Sequence, residues 1–205
     1  MKKILISDLT GIWIEKNEKI LNKINEKIIG KIEINEKEWK KLKRFARIGK
    51  ISSFQLGAIF YKKLGFKNFI ELRLKFREME LKNARKIFKV VKNAKSVLKK
   101  LKKKRIKIII ISDSINESCY LKTILKKIGL LKYFDIVLTS HDLGVEKPKA
   151  LKYFTYLKEK YEVYFLGHDN DEIIGAKNYG FKTIGLKNKS ADIFIKNITE
   201  LLKIF

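Results

Sequence analysis

The sequence predicts an α/β fold: a parallel sheet covered by helices on both faces, interrupted near its start by an all-helical insertion. Short apolar runs recur through residues 1–12 and 91–205 with helix-period segments between them, and such alternation implies a parallel sheet wrapped by helices. Residues 13–90 break the alternation and offer helical periodicity alone. A chain of 205 residues, 45% hydrophobic, has room for one full domain plus a smaller insertion, so two unequal lobes are expected.

In chain order, the expected buried strands are Lys3 to Ser7, Ile106 to Ser112, Asp135 to Thr139, Val163 to Leu166 and Phe181 to Leu186. After Ser112, the residues Ile115, Tyr120, Ile124 and Ile128 share one helical face, and Gly129 is placed to end that helix. Pro148, the only proline, suits the first turn of a helix whose Leu151, Phe154 and Leu157 lie on one side. Within the insertion, Trp39, Leu42 and Ala46, then Phe69, Leu72, Phe76 and Met79, recur at helical spacing and read as packing stripes. Ser52 and Ser53 before Phe54, and Asn68 before Phe69, are plausible helix caps.

Between Met1 and Ser7 only Ile4, Leu5 and Ile6 form an apolar run, too short for a signal peptide or a membrane span. The expectation is a soluble, cytoplasmic protein with no membrane partner. Cys119 has no second cysteine to pair with and is expected to be a buried, inert thiol. The formal charge of +26 predicts anionic partners. For nucleic acid the sequence offers electrostatics alone, because no zinc-finger spacing or aromatic-interleaved basic motif accompanies the charge.

Ligands of an open parallel sheet sit beyond the carboxyl ends of its strands. The first strand runs into Asp8-Leu9-Thr10-Gly11 and the second into Ser112-Asp113-Ser114. A loop after the third carries Glu146-Lys147-Pro148, and the fourth runs into Gly167-His168-Asp169-Asn170-Asp171-Glu172. A carboxylate, a hydroxyl, an ammonium and an acidic loop would converge there. That set suits nucleophilic displacement at a small anionic substrate, with an attacking carboxylate, charge-neutralising donors and a divalent-cation site. His141, in a loop before Lys147, is expected at the surface.

The stretches ILISDLTG, KKRIKIIIISDS, LLKYFDIVLTSHDLGVEKP and GHDNDEIIGAKNYGFKTIGL, in this order, resemble the signatures of the haloacid dehalogenase superfamily over nearly the whole chain. The resemblance implies a Rossmann-like core over 1–12 and 91–205, with 13–90 as a helical cap closing over the site. It implies that Asp8 forms a covalent aspartyl intermediate, that Ser112 with Asp113 binds the transferred group, and that Lys147 steadies its charge. For a Mg²⁺ ion it implies Asp8, the Thr10 carbonyl and the acidic loop, where His168, Asp169 and Glu172 stand at or beside the ligand positions and Asp171 is a further candidate.

Two departures bear on the activity. Thr10 stands where the family's phosphatases carry a second Asp as general acid and base, and loss of that role costs about 10² to 10⁴ in rate. His168 stands where the first metal-binding Asp is usual. The sequence therefore predicts a slow phosphatase of small phosphomonoesters. The alternatives are a metal-independent haloacid dehalogenase-like hydrolase, which needs neither feature but here lacks an Arg after the nucleophile motif, and a catalytically impaired descendant binding nucleic acid or another polyanion.

Overall fold

The computed structural model describes residues 2–31 and 36–205. Its main sheet has six strands, all parallel, in the order β5-β4-β1-β6-β7-β8. They are β1 (Lys2–Ser7), β4 (Lys107–Ser112), β5 (Ile136–Thr139), β6 (Tyr161–Gly167), β7 (Lys182–Leu186) and β8 (Ile193–Ile195). The first five match the apolar runs of the sequence. β8 does not, because Ile193, Phe194 and Ile195 are too few to stand out and pair only at the sheet's edge.

Successive side chains of a strand point to opposite faces, and this divides the core in two. Leu5, Ile108, Ile110 and Leu166 pack on one face with Val97, Leu98 and Leu101 of α6 (Ala94–Lys103) and Leu121, Ile124 and Leu125 of α7 (Ser118–Lys127). Ile4, Ile6, Ile109, Ile111 and Phe165 pack on the other, with Leu151 and Phe154 of a 3₁₀ helix, Lys149–Glu159, and Ile173 and Ala176 of α9 (Asn170–Asn178). Burial of both faces is why the strands read as unbroken apolar runs. The Lys149–Glu159 segment keeps the expected apolar side but winds as 3₁₀, with Pro148 just before it. Gly129, at φ +76°, follows α7 as expected.

The insertion contains α1 (Glu18–Ile29), α2 (Glu36–Arg47), α3 (Ser53–Lys63), α4 (Phe69–Lys82) and α5 (Ala84–Ile87). Its stem is not helical: β2 (Ile14–Lys16) pairs antiparallel with β3 (Phe88–Val90). Three-residue strands carry no legible period, so the expectation of helices throughout missed this ribbon. Trp13, fully buried, ties the stem to the core through a 2.8 Å hydrogen bond from Nε1 to Ser7 Oγ.

Ser52 caps α3 in a reciprocal capping box with Gln55, whereas Asn68 precedes α4 without a side-chain cap bond. The α4 stripe is only half-buried. The residues α4 buries fully are charged, Arg73 and Glu80. Cys119 also departs from expectation, because it lies on the solvent side of α7. Among the described residues, no helix is long and apolar enough to cross a membrane. The short α8 (Ser140–Leu143) and α10 (Leu201–Ile204) complete the elements.

Candidate active site

Asp8 follows the last residue of the central strand, and its N–H donates to Leu166 O at 3.0 Å, continuing the β1–β6 ladder. This fixes the carboxylate at the carboxyl edge of the sheet, 6% exposed. Ser112 ends the neighbouring β4, equally buried, and its hydroxyl engages no group among the described residues. Asp113 accepts a 3.0 Å hydrogen bond from the Lys147 N–H, tying the two loops together.

The centre of the site is the Lys147 ammonium. It lies 2.7 Å from Asp8 Oδ1 and 2.8 Å from Glu172 Oε1, with its side chain 1% exposed. Gly175, one turn after Glu172 on α9, permits this approach. A Cβ there would lie 2.0 Å from Pro148 Cβ, so only glycine lets α9 close on the segment carrying Lys147.

One ammonium thus serves two carboxylates. Burial alone would lower the Lys147 pKa, but Asp8 and Glu172 outweigh it and raise it, so the ammonium stays charged. Glu172 bears the imbalance. Burial pushes its pKa from 4.5 up to about 7, against the pull of Lys147 and with a further push from Asp8. Its second oxygen, Oε2, is buried without a hydrogen-bond partner among the described residues. The Asp113 pKa is raised as well, chiefly by burial.

His168 stands on the open side of Asp8. Its Nδ1 is 3.6 Å from Asp8 Oδ2, the oxygen Lys147 leaves free, and its side chain is 45% exposed. The ring lies over Gly11, where a Cβ would sit 3.0 Å from Nε2. Thr10 is exposed, and its backbone forms a bridge with Ile14. Asp169 turns away: its Oδ1 accepts from the N–H groups of Asp171 and Glu172 at 2.9 and 3.4 Å as the cap of α9. Asp171 is exposed.

The structure therefore gathers Asp8, Ser112, Asp113, Lys147, Glu172 and His168 around one sheet edge, and leaves Asp169 and Asp171 outside that group. A magnesium ion takes an octahedron of oxygens at about 2.0–2.1 Å. Of the set expected to hold one, Asp169 caps a helix, Glu172 Oε1 is held by Lys147, and His168 presents nitrogen. Among the described residues, no three His, Cys, Asp or Glu side chains converge as metal ligands do. Within the expected set, Asp8 Oδ2 and Glu172 Oε2 are left without a hydrogen bond among the described residues, whereas Asp169 is committed to its helix cap and His168 offers nitrogen.

The insertion meets the core at two places that the sequence did not signal. His141 is half-buried, with Nδ1 2.7 Å from Ala46 O, so its expected place at the surface is corrected; beside it, Arg47 pairs with Glu146 at 3.2 Å. At the second contact, Glu117 accepts from Ser53 N at 3.1 Å and Ser53 Oγ at 2.7 Å and pairs with Arg77 at 3.4 Å. Arg73 donates to Ser53 O at 2.9 Å, and Tyr120 to Glu80 Oε2 at 2.6 Å. Each partner lies 20 or more residues from its mate, beyond any local spacing rule.

The family model described as haloacid dehalogenase-like hydrolase matches residues 5–186. Among solved structures, the chain is similar to 2-haloacid dehalogenase from Pseudomonas syringae, with TM-score 0.73 and 17% identity over 100% of this chain and 98% of that one. It is similar to the HAD-hydrolase YfnB from Bacillus subtilis, solved bound to magnesium, with TM-score 0.68 and 18% identity over 99% and 98%. It is also similar to a HAD phosphatase from Thermococcus onnurineus, with TM-score 0.65 and 24% identity over 100% and 97%. No curated protein matches the sequence. At these identities the likeness establishes the fold, and both dehalogenases and phosphatases share it.

Proposed function

This chain belongs to the haloacid dehalogenase-like hydrolases, and we propose that it hydrolyses small phosphomonoesters through an ester formed on Asp8. The carrying observation is the asymmetry of that carboxylate. Oδ1 is held by Lys147 at 2.7 Å, while Oδ2 has no hydrogen-bond partner among the described residues and faces the open side of the site. A carboxylate anchored by one oxygen presents the other in a fixed direction, as nucleophilic displacement requires. The unengaged Ser112 hydroxyl and the Lys147 ammonium are the donors for the oxygens of the transferred group.

In the first step Asp8 Oδ2 attacks phosphorus and the bond to the leaving oxygen breaks. In the second, water attacks phosphorus, the P–Oδ2 bond breaks, and its electron pair returns to the Asp8 carboxylate. Contacts at Glu117, Glu146 and His141 hold residues 46–53 against the core.

Thr10 and the donor set around Asp8 favour a second reading, displacement of halide from a 2-haloacid. A halide leaves without a proton, and carbon displacement requires no metal.

The two readings separate in one experiment. The protein is incubated with ³²P-labelled phosphomonoester or with 2-chloropropionate, each with Mg²⁺ and with EDTA, and acid-quenched peptides are mapped. Label on the Asp8 peptide and phosphate release support the phosphatase; chloride release without phosphate release supports the dehalogenase. Asp8→Asn should abolish either activity while leaving the circular dichroism spectrum unchanged, because the amide keeps the shape and loses the nucleophile. Retention of more than about a tenth of wild-type rate removes Asp8 from that role.

A further inference from the structure

Among the described residues, His168 is the one titratable side chain that faces the free oxygen of Asp8 without being engaged elsewhere. Lys147 and Glu172 lie on the Oδ1 side and are bonded to each other, and Asp113 is turned to the Lys147 backbone. Asp169, next in the chain, faces its own helix. Nδ1 at 3.6 Å from Oδ2 is too far for a hydrogen bond, and neither ring nitrogen is bonded among the described residues. The ring is nevertheless placed. Gly11, at φ +82°, gives it a seat that a Cβ would fill, and Asn188 Nδ2 holds the His168 carbonyl at 3.0 Å. An unbonded imidazole at a defined position beside a nucleophile can carry protons.

Resting on the reading of Asp8 as nucleophile, we infer that His168 is the general acid and base of this enzyme, supplying the proton transfers that Thr10 cannot. As an imidazolium it gives its proton to the leaving alkoxide oxygen as the bond from phosphorus to that oxygen breaks. The resulting imidazole takes a proton from water as the water oxygen bonds to phosphorus. The P–Oδ2 bond then opens, the carboxylate is restored and the imidazolium regenerated, so protons and electron pairs balance over one turnover. Gly11 is a positioning residue in this scheme, because any side chain there displaces the ring.

The test uses p-nitrophenyl phosphate, whose leaving group departs without protonation and so isolates the second step. In His168→Ala, the expected result is a burst of nitrophenolate equal to the enzyme concentration. A steady rate lower by about 10² or more should follow, with phosphate accumulating on Asp8. Added imidazole should restore part of the steady rate, a readout that a purely structural role would not move. His168→Gln, closer in size, should show the same burst and guards against a folding defect.

Steady turnover within threefold of wild type in His168→Ala, with Asp8 still labelled, overturns the role of His168 alone. So does a slow variant with neither burst nor imidazole rescue. Failure to label Asp8 in the wild-type protein overturns this inference together with the phosphatase reading beneath it.

Discussion

Around Asp8 a single ammonium, Lys147, serves two carboxylates, whereas at the cap–core contact two guanidiniums, Arg73 and Arg77, face two carboxylates, Glu80 and Glu117. Both clusters are largely buried and burial pushes both acids upward, yet their net shifts are opposite. Glu117 receives hydrogen bonds from Ser53 and the charge of Arg77; although burial alone would raise its pKa, these partners hold it below the ordinary value. Among the described residues Glu172 has only the shared Lys147, and burial raises it to about 7. A matched cluster is a fastener. An unmatched one stores electrostatic strain, and such imbalance concentrates where chemistry is done.

The largest effect expected from breaking this contrast follows Lys147→Met. That substitution strands the buried Asp8 and Glu172 carboxylates together, with an expected loss of about 3–5 kcal/mol in urea unfolding as well as loss of activity. A loss below about 1 kcal/mol would mean that the two acids simply take up protons, and that Lys147 does not hold the cluster charged.

The unmatched cluster should also show in the pH dependence of stability. The folded-state value of Glu172 near 7 lies above the ordinary 4.5, so the folded chain holds a proton that the unfolded chain releases between them. Its contribution is therefore full below about 4.5 and is lost as pH rises to about 7, on the order of 3 kcal/mol. Urea midpoints from pH 4 to 8 should flatten over this interval in Glu172→Gln. Glu117 has the opposite sign: its depressed value makes the latch fully effective above 4.5 and weakens it as pH falls further.

Glu117→Gln should cost less, about 1–2 kcal/mol, because the amide keeps the acceptor for Ser53 N and loses the one for Ser53 Oγ together with the charge facing Arg77. It should raise KM more than it lowers kcat, since the cap loosens while the Asp8 cluster is untouched; equal losses in both would place Glu117 in the chemistry. Smallest of all is Arg47→Gln. The Arg47–Glu146 pair is half in solvent, and pairs of that kind contribute about 0–1 kcal/mol.

The sequence by itself determined the strand runs, the positions of Asp8 and Ser112 just beyond or at strand ends and of Lys147 in the loop after the third, and the departures at Thr10 and His168. Apolar periodicity and residues at strand ends are local properties, and a parallel sheet brings its carboxyl ends together whatever its loops do. The short strands β2, β3 and β8 escaped because three residues carry no period. Tertiary structure alone decided which acid meets which base. Glu172 rather than Asp169 reaches Lys147, because Asp169 closes the first turn of α9 and Gly175 lets that helix settle against Pro148. The same holds for the charged interior of α4 and for the grip of Glu117 on Ser53, whose partners are distant in sequence. Pairing of that kind depends on how two lobes pack, and packing is a property of the whole chain rather than of any window of it.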